Sequence, residues 1–311
     1  MENPKVIKRY PRVLVATACI PWNARYEFDE AIFRKEVRHL VAQGIRNIYL
    51  FGTAGEGYAL TTGQYSKIVE VFAEEMKGPG LCPMVCLIST AFNEMLERMR
   101  IAYDFGVREF QLALPSWGTL NDRELMTFFH AVCDPFGDCT FMHYNIGRNG
   151  RLLGIKEYTR LAEEIPNLAA AKISSKDTAF IFDLVASPCP IQFLLMDLAY
   201  SYGSFLGECS YLVAIPAIKA AIARQYLQAG IEHDATTLFR IDQEVGAIRQ
   251  KLMELVGTRA MDGAYDKLGV KMVMPEFPLR LQPPYESVSD QVFETYRLYL
   301  QTYFPHWLSN A

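Results

Sequence analysis

The chain has little of what marks metal, nucleic-acid or membrane chemistry. Its five histidines, His39, His130, His143, His233 and His306, are far apart and in no ligand spacing, so no metal site is expected. The seven cysteines, Cys19, Cys82, Cys86, Cys133, Cys139, Cys189 and Cys209, are odd in number and contain no CxxC pair. Several lie in apolar, strand-like runs where a thiol behaves as a small hydrophobe, and a reduced, cytoplasmic setting is expected. No apolar stretch reaches membrane-spanning length, and the start lacks the apolar segment of a secretory signal, so no membrane association is expected. Lysine and arginine are scattered in a chain of net charge −4. They are dense only in KVIKRYPR (residues 5–12), a leading strand or arm, and a basic face for nucleic acid is missing.

What is present is ample apolar material. Half of the 311 residues are hydrophobic and 21% are charged, which suits an ordered chain with a large core. Short apolar runs alternate with amphipathic segments. VLVATACI (13–20), IRNIYLFG and CPMVCLIS read as strands, and residues 28–44, 62–77 and 93–106 as helices. REFQLALP, CTFMHYNI, LAAAKISS, IQFLLMD and LGECSYL supply five more strands. Eight strand–helix units are complete by about residue 228, the periodicity of an α/β (β/α)8 TIM barrel. Gly44 and Gly106 each follow a helix and precede an apolar residue and an arginine that open a strand. They are 106 − 44 = 62 residues apart, two units of 31. Residues 232–257 and 286–304 read as helices around the proline-rich MVMPEFPLRLQPPYE (272–286). The expected organisation is a barrel over 1–230 with a C-terminal helical appendage over 231–311.

In such a barrel the reactive groups sit at the C-terminal ends of the strands. Three features fall there. FGTAGEG (51–57) is a glycine-rich turn, either a cradle of N–H groups for a carboxylate or phosphate, or a plain tight turn. HYNIGRNG (143–150) places the Tyr144 phenol at the rim, as a proton carrier or as packing. LAAAKISS holds Lys172, a lone cation in an apolar run. Desolvation there is expected to lower its pKa and free the lone pair for a Schiff base, the alternative being an ion-paired lysine at a strand end.

GTAGEG, YNIGRNG and AKISS, in that order and with 172 − 144 = 28 residues from tyrosine to lysine, resemble the dihydrodipicolinate synthase/N-acetylneuraminate lyase family. That family carries a G-[ST]-[TS]-G-E loop, Y-N-x-P and a Schiff-base lysine in K-[ED]-[AS]-[ST]. The resemblance runs from about residue 11 to about residue 290, where ATACIPWNARYEFDE is similar to its T-P-F opening and LGECSYL to its G-[VI]-[IS]-S strand. It implies a barrel assembled as a homo-oligomer, a dimer or a tetramer, that binds pyruvate or another 2-keto acid as a lysine imine, with no metal or organic cofactor. Lys172 would attack the ketone, and Tyr144 would act as general acid and base. The turn Gly52–Thr53–Ala54–Gly55 would hold the substrate carboxylate through its amides and the Thr53 hydroxyl.

The sequence also departs from that family. Ala54 replaces a second hydroxyl residue. Trp117, in PSWG, stands where synthases have a tyrosine that completes a proton relay in the neighbouring subunit, and an indole cannot titrate as a phenol does. YNIGRNG lacks the proline and is one residue shorter, so either Arg148 or Arg151 takes the part of the carboxylate-gripping arginine. Ile173 follows the lysine where an acid is common. Glu208 and Cys209 fall where the family is apolar; strand alternation lets one of them face the pocket, and Cys209 is expected there because a lone buried carboxylate is costly. These changes favour a lyase that cleaves or dehydrates a sugar acid or other hydroxy-keto acid. The alternatives are 4-hydroxy-tetrahydrodipicolinate synthase and, in another class, a barrel that binds a keto acid without turnover. A phosphate-binding barrel is discounted, since MDLAYSYGSFLGECS offers no amide cradle.

Overall fold

The computed structural model describes residues 6–308. Eight short strands run parallel: β1 (Leu14–Thr17), β2 (Asn47–Leu50), β3 (Cys82–Leu87), β4 (Glu109–Leu112), β5 (Thr140–Asn145), β6 (Leu168–Ile173), β7 (Gln192–Met196) and β8 (Ser210–Leu212). Each pairs with the next, and β1 pairs with β8 to close the barrel. Helices α1 (Glu30–Ala42), α2 (Thr62–Glu75), α3 (Phe92–Asp104), α4 (Asp122–Cys133), α5 (Ile155–Glu164), α6 (Thr178–Val185), α7 (Asp197–Leu206) and α8 (Ala220–Glu232) follow the strands in turn. Then come α9 (Ala235–Val256), α10 (Asp262–Val273) and α11 (Asp290–Tyr303). Residue 230 therefore falls within the last turn of α8. The composition of the proline-rich stretch hid α10, whose two glycines and mixed polarity weaken any helical stripe.

The strands are apolar on both faces because both faces are covered. Inward residues Val15, Tyr49, Met84, Met142, Ala170, Leu194 and Leu212 pack together inside the barrel. Their neighbours Ala16, Ile48, Val85, Phe141, Ala171, Leu195 and Tyr211 join the larger core beneath the helices. The segment before β1 is an arm rather than a strand. Its Tyr10 hydroxyl donates to Glu109 Oε2 at 2.8 Å, and Arg9 donates to the Ala162 and Ile165 carbonyls. Lys5, the first residue of the basic cluster, lies outside the described residues. No helix among the described residues is long and apolar enough to cross a membrane.

Glu56 and Lys267 join the two ends of the chain. Glu56, at the end of the β2 turn, is fully buried with a left-handed φ of 55°. Its Oε1 accepts from Lys267 Nζ of α10 at 2.5 Å and from Trp22 Nε1 at 2.9 Å, and its Oε2 accepts from the Gln282 backbone N–H at 2.7 Å. Each carboxylate oxygen is satisfied, which a buried charge requires.

His143 faces outward from β5 into the core between Phe129 and Tyr158. Nδ1 meets the Tyr158 hydroxyl at 2.8 Å, while Nε2 is buried without a partner. Burial keeps the ring neutral, pushing its pKa down from 6.5 to about 3. Between those values the unfolded ring takes up a proton that the folded ring refuses, so stability falls as pH falls through that window. The expected loss reaches about 3 kcal/mol at pH 4. Glu36 and Asp266, pushed by burial up to about 8 and about 7, act in the opposite sense at higher pH. The difference between the parent and His143→Gln in denaturant unfolding from pH 8 to pH 4 isolates the histidine. A pH-independent difference would contradict this account.

Candidate active site

Register brings the two principal side chains together. Tyr144 on β5 pairs directly with Lys172 on β6, and residues opposite one another in a sheet point to the same face. Both face inward at the C-terminal end of the barrel, and both are almost completely buried. The Lys172 Nζ lies 4.1 Å from the centre of the Tyr144 ring and 5.2 Å from that of Tyr49 on β2. It donates to the Tyr49 hydroxyl at 3.3 Å. The Tyr144 hydroxyl is 3.1 Å from Thr53 Oγ1. Amine, two phenols and the Thr53 hydroxyl thus form one connected polar group. Tyr49, Tyr144 and Lys172 open onto a cavity of about 370 Å³.

The electrostatics differ from the sequence-based expectation. Burial favours the neutral amine, but the phenol oxygens of Tyr144 and Tyr49 outweigh it and hold Lys172 above the ordinary lysine range. The resting form is therefore the ammonium, seated between two aromatic faces. The apolar neighbours seen in sequence, Ala171 and Ile173, face the outer core, while the groups that touch the amine come from other strands. Burial likewise keeps the Tyr49 phenol protonated at neutral pH.

The turn after β2 contributes unevenly. Ala54 lines the cavity, and Thr53 reaches it through Tyr144. Gly52 is packed against Tyr49: a Cβ there would lie 2.4 Å from that ring. A Cβ on Gly55 would lie 2.8 Å from the Phe51 backbone nitrogen, so this glycine serves close backbone packing. Of the two arginines, Arg148 lines the cavity, its guanidinium forked onto Asp262 of α10 at 2.9 and 3.1 Å. Arg151 turns away to Asp122, Glu157 and the Leu120 carbonyl. Trp117 is 92% exposed on the loop after β4 and does not reach this chain's cavity.

Cys209 is a correction. Its side chain packs in the outer core, as does Tyr211, whereas Ser210 bonds Gln192 and Leu212 joins the interior. Alternation along β8 sends 210 and 212 inward and 209 outward. Nor does Glu208 enter the site; it is half-buried, and its charge acts on Lys8 of the N-terminal arm.

Sequence reasoning missed several lining groups. Tyr49 sits in a run that reads as strand packing, and Phe51, two residues on, packs in the outer core against Tyr65. Asp266 of α10 lines the cavity with its carboxyl pushed up to about 7 by burial and by Asp262, against the pull of Lys172. Asp197, at the start of α7, is held by the Tyr211 hydroxyl at 2.8 Å and the Ala214 and Ile215 amides. Lys176 and Arg249 also line the cavity, and burial together with the Arg249 charge lowers the Lys176 pKa. Among the described residues no group of three potential ligands gathers for a metal ion.

A buried amine at the mouth of a parallel barrel, flanked by phenols, defines a lyase of the imine-forming, class I aldolase type. The chain belongs to the Dihydrodipicolinate synthetase family, whose model matches residues 10–301. Among curated relatives it is similar to a 4-hydroxy-tetrahydrodipicolinate synthase of Exiguobacterium sibiricum, 26% identical over 288 residues, covering 90% of this chain and 94% of the relative. It is also similar to an N-acetylneuraminate lyase of Escherichia coli, 26% identical over 168 residues, 53% of this chain and 56% of that one. Among solved structures, a prophage protein of the dihydrodipicolinic acid synthase family from Escherichia coli K12, in complex with pyruvate, superposes with a TM-score of 0.84 at 15% identity. That match covers 94% of this chain and 98% of the other. Proteus mirabilis N-acetylneuraminate lyase superposes with a TM-score of 0.82 at 16% identity, over 94% and 98%.

Proposed function

We propose that the protein cleaves or dehydrates a hydroxylated 2-keto acid, such as one derived from a sugar acid, through an imine on Lys172. The observation that carries this reading is the Lys172 amine held between Tyr144 and Tyr49 at the cavity wall. Attack of the amine on the C2 ketone and loss of water give an iminium that draws electrons from C3. In aldol cleavage the C3–C4 bond breaks, its electrons form a C2=C3 double bond as the C=N pair moves onto nitrogen, and the C4 hydroxyl gives up its proton to leave an aldehyde. In dehydration a C3 proton is removed and the C4 hydroxyl departs as water. Either course needs a group that exchanges protons at C4. Tyr144 is one such group, and Asp266, with a pKa near neutrality, is a second in the same cavity. The imine is its own electron sink, so the reading calls for neither a metal nor an organic cofactor.

A cavity of about 370 Å³ exceeds what three-carbon pyruvate fills, and its further walls carry Ser174, Ser175, Lys176 and Arg249. Such a polar wall suits a longer substrate with hydroxyl or anionic groups. The synthase alternative asks for a relay phenol at the place of Trp117, which is an indole. A barrel that binds without turnover would have no use for a lysine placed against two phenols. We further propose assembly as a dimer or tetramer, as the family resemblance implies.

The test is borohydride reduction in the presence of pyruvate, read by intact mass and peptide mapping, followed by a panel of sugar-derived 2-keto acids. A reduced adduct confined to Lys172 is expected. A folded protein that yields no adduct with pyruvate or with longer keto acids would overturn the catalytic reading in favour of the binding barrel.

A further inference from the structure

Tyr49 is a fully buried phenol that the mechanism above leaves without a part, yet it is the acceptor of the hydrogen bond from the reacting nitrogen. Its position is built rather than incidental. The adjoining Gly52 leaves out a side chain that would overlap the Tyr49 ring, and the strand pairing sets Tyr49 beside Thr17, which lines the same cavity. Nitrogen and phenol are therefore in direct hydrogen-bond contact, and both open onto the cavity that Thr17 also lines.

Proton counting states what imine formation requires. An ammonium carries three protons, the protonated imine keeps one, and the other two leave with the ketone oxygen as water: R–NH3+ plus O=C gives R–NH+=C plus H2O. Two protons pass from nitrogen to oxygen, with no outside acid or base and no redox change. A phenol within reach of the nitrogen can receive one proton while giving its own to the substrate oxygen, and so carries no net charge.

We propose that Tyr49 is a catalytic residue of this chain, the phenol that takes the first of these protons from Lys172 and passes one to the substrate oxygen. Tyr144, linked to Thr53, then serves the second transfer and the later steps on the carbon chain. The inference rests on the imine reading and deepens it: both phenols of the proton path come from the same chain as the lysine.

Tyr49→Phe keeps the ring against Gly52 and removes only the hydroxyl. Rapid mixing with pyruvate, quenched by borohydride at successive times, is expected to show imine formation at least tenfold slower with the same final extent of trapping. Its pH dependence should move to alkaline values, where solvent base deprotonates the ammonium. Site-specific 3-fluorotyrosine at position 49, a more acidic phenol that preserves the fold, should shift the pH–rate curve downward, which a packing role would not do. Parent-like rates in Tyr49→Phe, or an unmoved curve with fluorotyrosine, would overturn the assignment while leaving the imine intact. A parent protein that cannot be trapped would overturn the imine reading, and this inference with it.

Discussion

A Lys172→Met protein is expected to fold, to melt slightly lower than the parent, and to lose about 10⁴-fold or more of its turnover. The two effects share one cause. Lys172 is 3% exposed, and among the described residues no carboxylate lies within ion-pairing distance of its amine. Without a counter-ion, the ammonium is held by phenol oxygens and ring faces, which more than offset its lost hydration. Methionine is similar in length, unbranched and apolar, so it fills the space and removes the charge. It also removes the Tyr49 hydroxyl's partner and the cation's contact with both rings, a net loss of about 1 kcal/mol and a fall in Tm of a few degrees. Turnover and calorimetric melting on one preparation check both halves. A variant that still forms a borohydride-stable adduct would show that another amine does the chemistry. One that melts above the parent would show that the phenols do not offset the burial of the charge.

Cutting the link between Glu56 and Lys267 is expected to cost far more stability. Both side chains are completely buried, and burial holds Lys267 below the ordinary lysine range despite the pull of Glu56. Lys267→Met leaves the Glu56 charge inside the protein with Trp22 and the Gln282 amide as its remaining donors. Removing one partner of a buried pair costs about 3–5 kcal/mol, because the survivor is uncompensated. The double variant Lys267→Met, Glu56→Gln should recover a large part of that loss, since the orphaned charge is gone. Denaturant unfolding of the parent, both single variants and the double variant measures the coupling. Additive losses would mean that the two residues act separately. A loss of trapping in the single variant is also expected, because Glu56 ends the turn that positions Thr53 and Ala54.

Much of the fold was legible because each βα unit announces itself locally. Short apolar runs can be strands only if both faces are covered, and glycines such as Gly44 and Gly106, with φ of 81° and 94°, close helices at even intervals. Lys172 and Tyr144 were legible through the spacing that registers β5 with β6. What stayed hidden depends on residues distant in sequence. The environment of Lys172 comes from inward neighbours on other strands, so Ala171 and Ile173 gave the wrong sign for its pKa. Asp266 lies 266 − 172 = 94 residues downstream, on a helix whose glycines obscured it. Cys209 was misplaced because β8 begins only at Ser210 and is three residues long, leaving too few residues to fix the alternation from sequence. Tyr49 looked like packing because a tyrosine in an apolar strand usually is.

The latch between Glu56 and Lys267 has a further consequence for how the protein comes into being. The two residues are 211 positions apart, and the turn at the barrel mouth is anchored by a lysine that follows all eight strands in the chain. A nascent chain that has already emerged with all eight strands still lacks the counter-charge for Glu56, so its catalytic mouth stays unfinished until α10 follows. Competence for the reaction thus waits on α10, and a product cut short before it leaves the Glu56 charge unanswered.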